Sequence, residues 1–437
     1  MTIPMIIGMV MLMTFSIVDT FFVSLIGTNE LAAISFTFPV TFTVISLNIG
    51  LGIGTSAVIG KYLGSGEGDK AKTLATGSII LVALLVGLLC AVGYFTIEPV
   101  FSLMGASDTL IPLIYDYMSV WYVSGVFLAI PMVGNAVLRA AGDTKLPSII
   151  MAVGGAINAI LDPILIFGWL GIPAMGIKGA AIATCIAWAV CVVWILWLLA
   201  VRRGLMEARM LTWPEFKSAA TGVLTIGLPA AGANMLTPVA AGILTAIVAS
   251  YGAEAVAAWG VGSRLESMAC IIVLALSMSL PPFISQNFGA KQTQRIFSSY
   301  KMAIRFVMVW QLVVFGVLFV SAPYIAQIFA DEQNVSQIIT LFLVIVPLGY
   351  GLQGVIILTN SSFNAMHLPM AALWLSIFRL FVCYVPLAAL GSYFYGLQGL
   401  FWGCVLANSI AAAASYFWFN RALKKQMTIS LKASEIN

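Results

Sequence analysis

Twelve apolar runs dominate this chain, at 3–26, 31–60, 73–97, 111–138, 146–170, 177–201, 219–250, 255–286, 299–329, 337–363, 369–394 and 398–420. As a helix, each is long enough to cross the roughly 30 Å hydrocarbon core of a bilayer. Lipid offers the backbone no hydrogen-bond partners, so an isolated span must satisfy its own N–H and C=O groups as a helix. A membrane barrel would instead show segments of about ten alternating residues. Composition points the same way: 61% of the 437 residues are hydrophobic and 8% are charged, where a soluble domain is roughly one-quarter charged. The expected fold is all-α, a polytopic membrane protein with twelve transmembrane helices.

Charge placement tests the count. Seventeen of the twenty Lys and Arg residues fall at 61–72, 139–145, 202–217, 291–305 and 421–432, segments that all lie on one side if there are twelve spans. The opposite loops hold Lys178 with Glu98, Asp108, Asp331 and Glu332. A basic excess marks the cytoplasmic side, so both termini are expected in the cytoplasm of a multi-pass inner-membrane protein. The net charge of +4 is explained by this orientation and suggests no nucleic-acid partner. The first run carries Asp19 and lacks a basic n-region, so it reads as a span rather than a cleaved signal. Its abrupt start at Met1 leads us to expect a short leader before it. All six cysteines lie inside apolar runs without a CxxC pair, and His367 is the single histidine. Buried thiols and no resident metal or cofactor are the expectation.

The halves repeat. At a shift of 225 residues Pro4 falls on Pro229, Thr20 on Thr245, Gly27 on Gly252 and Gly64 on Gly289. Gly176 and Gly179 fall on Gly396 and Gly399 at a shift of 220. Six spans per half give both halves the same orientation, so the expected plan is two pseudo-symmetric six-helix bundles. Their ranges are 1–201 for the N-terminal bundle, 202–218 for a cytoplasmic linker, and 219–437 for the C-terminal bundle with its short cytoplasmic tail. Rocking of one bundle on the other would give alternating access.

A carboxylate inside a span costs about 2.5–3.5 kcal/mol on insertion scales and marks function by default. Asp19 lies in span one, flanked by Ser16 and Thr20; Asp162 lies in span five, with Asn158 one turn earlier on the same face. Pro163 follows directly and frees a carbonyl one turn back, so a bend beside the acid is expected. Neither acid is duplicated: Leu244 stands opposite Asp19, and the neighbourhood of Val385 opposite Asp162. Whatever they do belongs to the N-terminal bundle. Desolvated, mutually repelling acids suit reversible protonation; the same oxygens with Asn158 suit Na⁺. The residues leave both ions open, with H⁺ preferred. Weaker candidates for pocket or gate are Glu266 and Arg264 in span eight, Arg379 in span eleven, and Met9 and Met13, which with Met5 form a stripe at helical spacing. Asp143, in Arg139-Ala140-Ala141-Gly142-Asp143, reads as a solvated turn residue.

Val18-Asp19-Thr20 with Gly27, Gly60-Lys61-Tyr62-Leu63-Gly64, Arg139-Ala140-Ala141-Gly142-Asp143, Asn158 with Asp162-Pro163, and Gly179-Ala180-Ala181-Ile182-Ala183-Thr184 occur in this order along the whole chain. In these motifs the chain resembles the multidrug and toxic compound extrusion (MATE) family, and within it the DinF-like branch. The resemblance implies a V-shaped pair of bundles that exports organic, often cationic and aromatic, compounds in exchange for H⁺ or Na⁺. It also implies a coupling set of Asp19, Asn158, Asp162 and Thr184. The NorM-like branch places acids in spans seven and ten, where this chain reads Met235-Leu236-Thr237-Pro238 and Thr359-Asn360-Ser361-Ser362.

A flippase for lipid-linked precursors is the alternative within the superfamily. It would need many basic residues in its cleft, and only Arg264 and Arg379 are available. A diaspartyl protease needs a GxGD context, whereas Asp162 sits in Ile160-Leu161-Asp162-Pro163; no enzyme is expected. The partners are therefore small organic substrates and the bilayer, with a monomer as the working unit.

Overall fold

The helices follow from length and apolarity, with glycine and short polar runs setting their ends. The computed structural model describes residues 2–207, 209–329 and 332–435, with the side chains of Leu12, Phe15, Ser16, Thr28 and 427–435 outside that description. Ser16, Asp331 and Lys432, used above, lie with their side chains outside the described set. The N-terminal helices are α1 (Thr2–Ser24), α2 (Thr28–Gly64), α3 (Gly68–Phe95), the short α4 (Ile97–Leu103), α5 (Ile111–Ala140), α6 (Lys145–Phe167) and α7 (Gly176–Trp197). Then come α8 (Trp213–Ala249), α9 (Ala253–Ala269), α10 (Ile271–Gly289), α11 (Thr293–Phe329), α12 (Gln333–Ile345), α13 (Tyr350–Ala365), α14 (Pro369–Ile377) and α15 (Val385–Glu435). No strand occurs among the described residues.

These helices make twelve spans. α9 with α10, α12 with α13, and α14 with the start of α15 each form one span with a local break, and α15 itself turns at Tyr395 and Gly396, where spans eleven and twelve meet. Several helices outrun the apolar run that announced them. α8 begins at Trp213 rather than 219, and α11 at Thr293 rather than 299. The added turns carry Glu215, Lys217 and Arg295, helix-forming residues that continue a span into water.

The chain divides into two compact units, Met1–Ala231 and Gly232–Asn437, so their boundary falls inside α8. The segment ahead of α8 is docked rather than loose: the Glu207 N–H donates to Thr76 Oγ1 at 2.9 Å, and Thr73 Oγ1 donates to Glu207 at 3.3 Å. Each unit has its own apolar core. That of the first includes Leu51, Val82, Phe101, Met118 and Leu198; that of the second includes Phe342, Phe363, Phe401 and Phe419. Large apolar side chains also face outward, such as Ile3, Ile17 and Phe21 on α1 and Val309, Val313 and Val320 on α11. In water such a surface would be an aggregation hazard; against lipid tails it is the required solvent face.

The repeat is visible in backbone geometry. Gly176 and Gly396, paired by sequence, both take positive φ (54° and 60°), a region open to glycine and strained for other residues. Gly179 and Gly399, the next pair, both sit where a neighbouring backbone leaves no room for a side chain: a Cβ on Gly179 would lie 2.6 Å from the Leu165 carbonyl oxygen, and one on Gly399 would strike the Gly391 carbonyl.

Asp143 does more than sit in a solvated turn. Its Oδ1 accepts the N–H groups of Lys145 and Leu146 at 3.0 and 3.1 Å, capping α6, and its Oδ2 pairs with Arg203. Its side chain is only 16% exposed. One carboxylate thus ties the start of span five to the end of span six.

Candidate functional site

The site grows from the packing of α1, α6 and α7, with α6 lying against both of the others. Gly154 and Gly179 let α6 and α7 come close: an added Cβ on Gly154 would meet Cys191 Sγ at 2.8 Å. That approach brings Thr184 of α7 to Asn158 of α6. Asn158 Nδ2 donates to Asp162 Oδ1 at 3.2 Å and to Thr184 Oγ1 at 3.2 Å. Thr184 in turn donates its hydroxyl to the Ala180 carbonyl at 3.1 Å. One amide therefore holds Asp162 on its own helix and Thr184 on the next.

Asp162 is fully buried, and Asp19 of α1 brings its carboxyl within hydrogen-bonding reach of it. One oxygen of each acid, Asp19 Oδ1 and Asp162 Oδ2, is sealed from solvent and has no hydrogen-bond partner. Two carboxyl groups share a hydrogen bond only when a proton lies between them. Tyr117 of α5 lies in the field of both acids. It escaped the sequence reading because Tyr115-Asp116-Tyr117, near the start of a span, looks like an interfacial aromatic pair.

The remaining candidates separate. Glu266 and Arg379 are neighbours within the C-terminal unit, whereas Arg264, two residues from Glu266, is exposed. Met5 is buried, with Ser148 Oγ at 3.6 Å from its sulfur, while Met9 and Met13 are half-buried; the stripe is at least partly core. α6 runs through Pro163 without interruption. Leu244, opposite Asp19 in the repeat, is buried in an apolar core of the C-terminal unit.

Thr184 can be tested directly. Valine in its place keeps the shape and removes the acceptor. T184V is expected to cost about 1 kcal/mol of stability and to lower gradient-driven transport about three- to tenfold, measured by thermal denaturation and proteoliposome flux. Wild-type flux would show that the bond to Asn158 does not position Asp162.

Twelve spans in a doubled scaffold, with Asp162 fully buried in one of them, define a membrane transporter rather than an enzyme. The MatE family profile matches residues 4–164 and 229–390, two matches that start 225 residues apart (229 − 4), the shift found within the sequence. The chain belongs to the MatE family, whose members are the MATE transporters. It is 40% identical over 421 residues to the FAD transporter of Shewanella oneidensis, covering 96% of this chain and 93% of that one. It is 27% identical over 420 residues to the probable multidrug resistance protein YoeA of Bacillus subtilis, covering 93% of this chain and 89% of the relative. Among solved structures it resembles the Vibrio cholerae MATE transporter VcmN in the bent form, with 37% identity and a TM-score of 0.92 over 97% of this chain and 96% of that one.

Proposed function

We propose that this chain is a proton-driven efflux antiporter of the inner membrane, working as a monomer with both termini in the cytoplasm, and that Asp19 and Asp162 form its exchange site. The observation that carries this reading is the facing pair of acids, each with one sealed, unpartnered oxygen, in one half of a doubled scaffold. Facing carboxylates repel in a low-dielectric site, and protonation relieves that repulsion. One proton lets the pair hydrogen-bond; a second neutralises it. Loss of protons to one side of the membrane and uptake from the other would bias alternating access, at about 2.3 kcal/mol per charge per 100 mV.

Asn158 favours H⁺ over Na⁺. Sodium needs oxygen ligands, yet the amide turns its NH₂ toward both Asp162 and Thr184. An NH₂ group donates and cannot ligate. A sodium ion held by Asn158 between Asp162 and Thr184 would require the amide to turn its oxygen toward them and give up the bond to Asp162.

For cargo, the family resemblance favours organic cations with aromatic rings. The 40% identity to a FAD transporter over nearly the whole chain supports a second reading, a flavin dinucleotide. Both cargoes are tested in proteoliposomes by following ethidium and FAD under an imposed pH gradient and, separately, a Na⁺ gradient. Movement under the pH gradient alone is expected. Movement driven by Na⁺ alone would retain antiport and remove the proton assignment; no movement of either cargo under either gradient would remove both.

A further inference from the structure

Cytoplasmic charge is handled differently in the two units. The first unit pairs its acids: Glu67 with Lys70, Asp69 with Lys72 at 3.8 Å, Asp143 with Arg203, and Glu207 and Glu215 with Arg209 at 3.7 and 2.6 Å. The second unit has no acid between Glu266 and Asp331, and none between Glu332 and Glu435. Arg295, Lys301 and Arg305 of α11 have no carboxylate within 4.0 Å among the described residues. Arg421 and Lys425, at the end of α15, add to the same excess. Tyr300 of α11 and Phe419 of α15 are both fully buried, with ring centroids 4.0 Å apart, so the start of α11 packs against the end of α15.

That packing turns Ile296, Tyr300, Ala303 and Val307 inward and leaves Arg295, Met302 and Arg305 on the outer face of α11, with Met302 71% exposed. Lys301 lies beside them, its ammonium 5.6 Å from the Phe297 ring centre. Lys301 and Arg305 are four residues apart, which places their Cβ atoms roughly 5–6 Å from each other on one helix face. Arg305 is the last charge before the uncharged run 306–329, and the outer face continues into Phe306, Val309 and Val313, all exposed. One face thus passes without a break from cations to apolar side chains. The repeat gives this face a counterpart. α3 and α11 begin 225 residues apart, at Gly68 and Thr293, so Thr76 corresponds to Lys301, Gly77 to Met302 and Ile80 to Arg305. In the first unit protein covers the position: the Glu207 N–H donates to Thr76 Oγ1, and a Cβ on Gly77 would lie 2.5 Å from the Ala219 Cβ and 3.5 Å from Leu211 Cδ1. In the second unit the same position is open and basic.

We propose that this face of α11 is a docking surface for an anionic phospholipid, whose phosphate is held by Lys301 and Arg305 and whose acyl chain lies along Phe306, Val309 and Val313. The charge complementarity is one-sided, because no acid of the second unit competes for the two cations. A guanidinium beside an ammonium matches phosphate oxygens, and the long stems of both residues let their heads reach headgroup level from a helix that continues into the hydrocarbon. The apolar continuation identifies the occupant as a lipid: a soluble anion or an acidic peptide would leave Phe306, Val309 and Val313 unused. The lipid takes in the second unit the place that the segment before α8 takes in the first.

The test is the ratio of phosphatidylglycerol to phosphatidylcholine binding by the purified full chain in mixed micelles, counted by native mass spectrometry. Wild type is expected to prefer phosphatidylglycerol about twentyfold. K301Q and R305Q should each cost about fivefold, and the double variant should bring the ratio within about twofold of one. K70Q/K72Q removes the same two charges from α3, where Glu67 and Asp69 already pair them, and should stay within about twofold of wild type. M302E places an acid in the middle of the face at an exposed position; it should lower the ratio about fivefold and carries the test if K301Q/R305Q fails to fold. Equal binding of the two lipids by wild type, a wild-type ratio in M302E, or equal losses in K301Q/R305Q and K70Q/K72Q would overturn the proposal. In the last case net charge, and not this face, would set the preference. Deleting 427–437 tests the chain's own tail as the occupant. The ratio should be unchanged, and a rise of about fivefold would show that the tail fills the face and end the lipid assignment. The ratio needs no gradient, so failure of proton-driven transport would leave this result standing.

Discussion

Replacing Asp19 with Asn is expected to abolish proton-driven accumulation while leaving the protein folded. Asparagine keeps the shape of the side chain and supplies an NH₂ that can donate to Asp162 Oδ2, an oxygen with no partner in the wild type. Stability should therefore hold or rise. Exchange should not survive, because an amide neither takes up nor releases a proton. For one charge moved per cargo under 100 mV, the available 2.3 kcal/mol supports a gradient of about fiftyfold. In D19N that ratio should collapse to about one, read as cargo distribution across proteoliposomes at equal protein loading. D19E, which restores a carboxyl on a longer stem, should recover part of it. Accumulation by D19N equal to wild type would end the assignment of Asp19, and the acid in the C-terminal unit, Glu266, would become the candidate.

The largest loss of stability is expected at the paired glycines Gly179 and Gly399. An exposed Gly→Ala change inside a helix normally gains about 1 kcal/mol. At these two positions the new methyl group meets backbone, at 2.6 Å from the Leu165 oxygen for Gly179 and against the Gly391 carbonyl for Gly399. A backbone carbonyl cannot rotate away as a side-chain tip can, so the clash outweighs the propensity gain. Each alanine variant is expected to lose about 3 kcal/mol, measured by thermal denaturation in detergent. Gly316→Ala is the control: its Cβ would meet nothing within 4 Å, and it should be neutral or mildly stabilising. G179A should also reduce transport, because pushing α7 from α6 stretches the 3.2 Å bond between Asn158 and Thr184. Equal stability in G179A, G399A and G316A would show that the helices yield more easily than this packing implies.

Much of this architecture is legible without coordinates because lipid imposes a minimum length on every span. Run lengths and the one-sided basic residues were sufficient for twelve crossings. Asn158 and Asp162 share a face by their four-residue spacing. The meeting of Asp162 with Asp19 was not legible: the two stand 143 positions apart (162 − 19), on helices whose contact no periodicity announces. Thr184 was reached through resemblance alone, since a threonine in a small-residue run has no signature of its own. Pro347 marks the 3-10 turn at Val346–Gly349, whereas the π-helical segment at Phe378–Tyr384 has no comparable marker. Several helix ends were placed too far from water because hydropathy reports where lipid stops, and a helix carrying Lys, Arg and Glu does not stop there.

Leu244 opposite Asp19 has a consequence for inheritance. When a transporter arises by doubling a six-span unit, both copies begin with the same chemistry, and a proton site kept in both would have to be preserved twice. Here one copy carries a buried leucine where the other carries the acid and is, at that position, ordinary core. On the proposed reading, the chemistry that draws on the gradient descends through one copy alone. The other has been released to change what it holds, so a lineage of such proteins can acquire a new cargo without inventing a new engine.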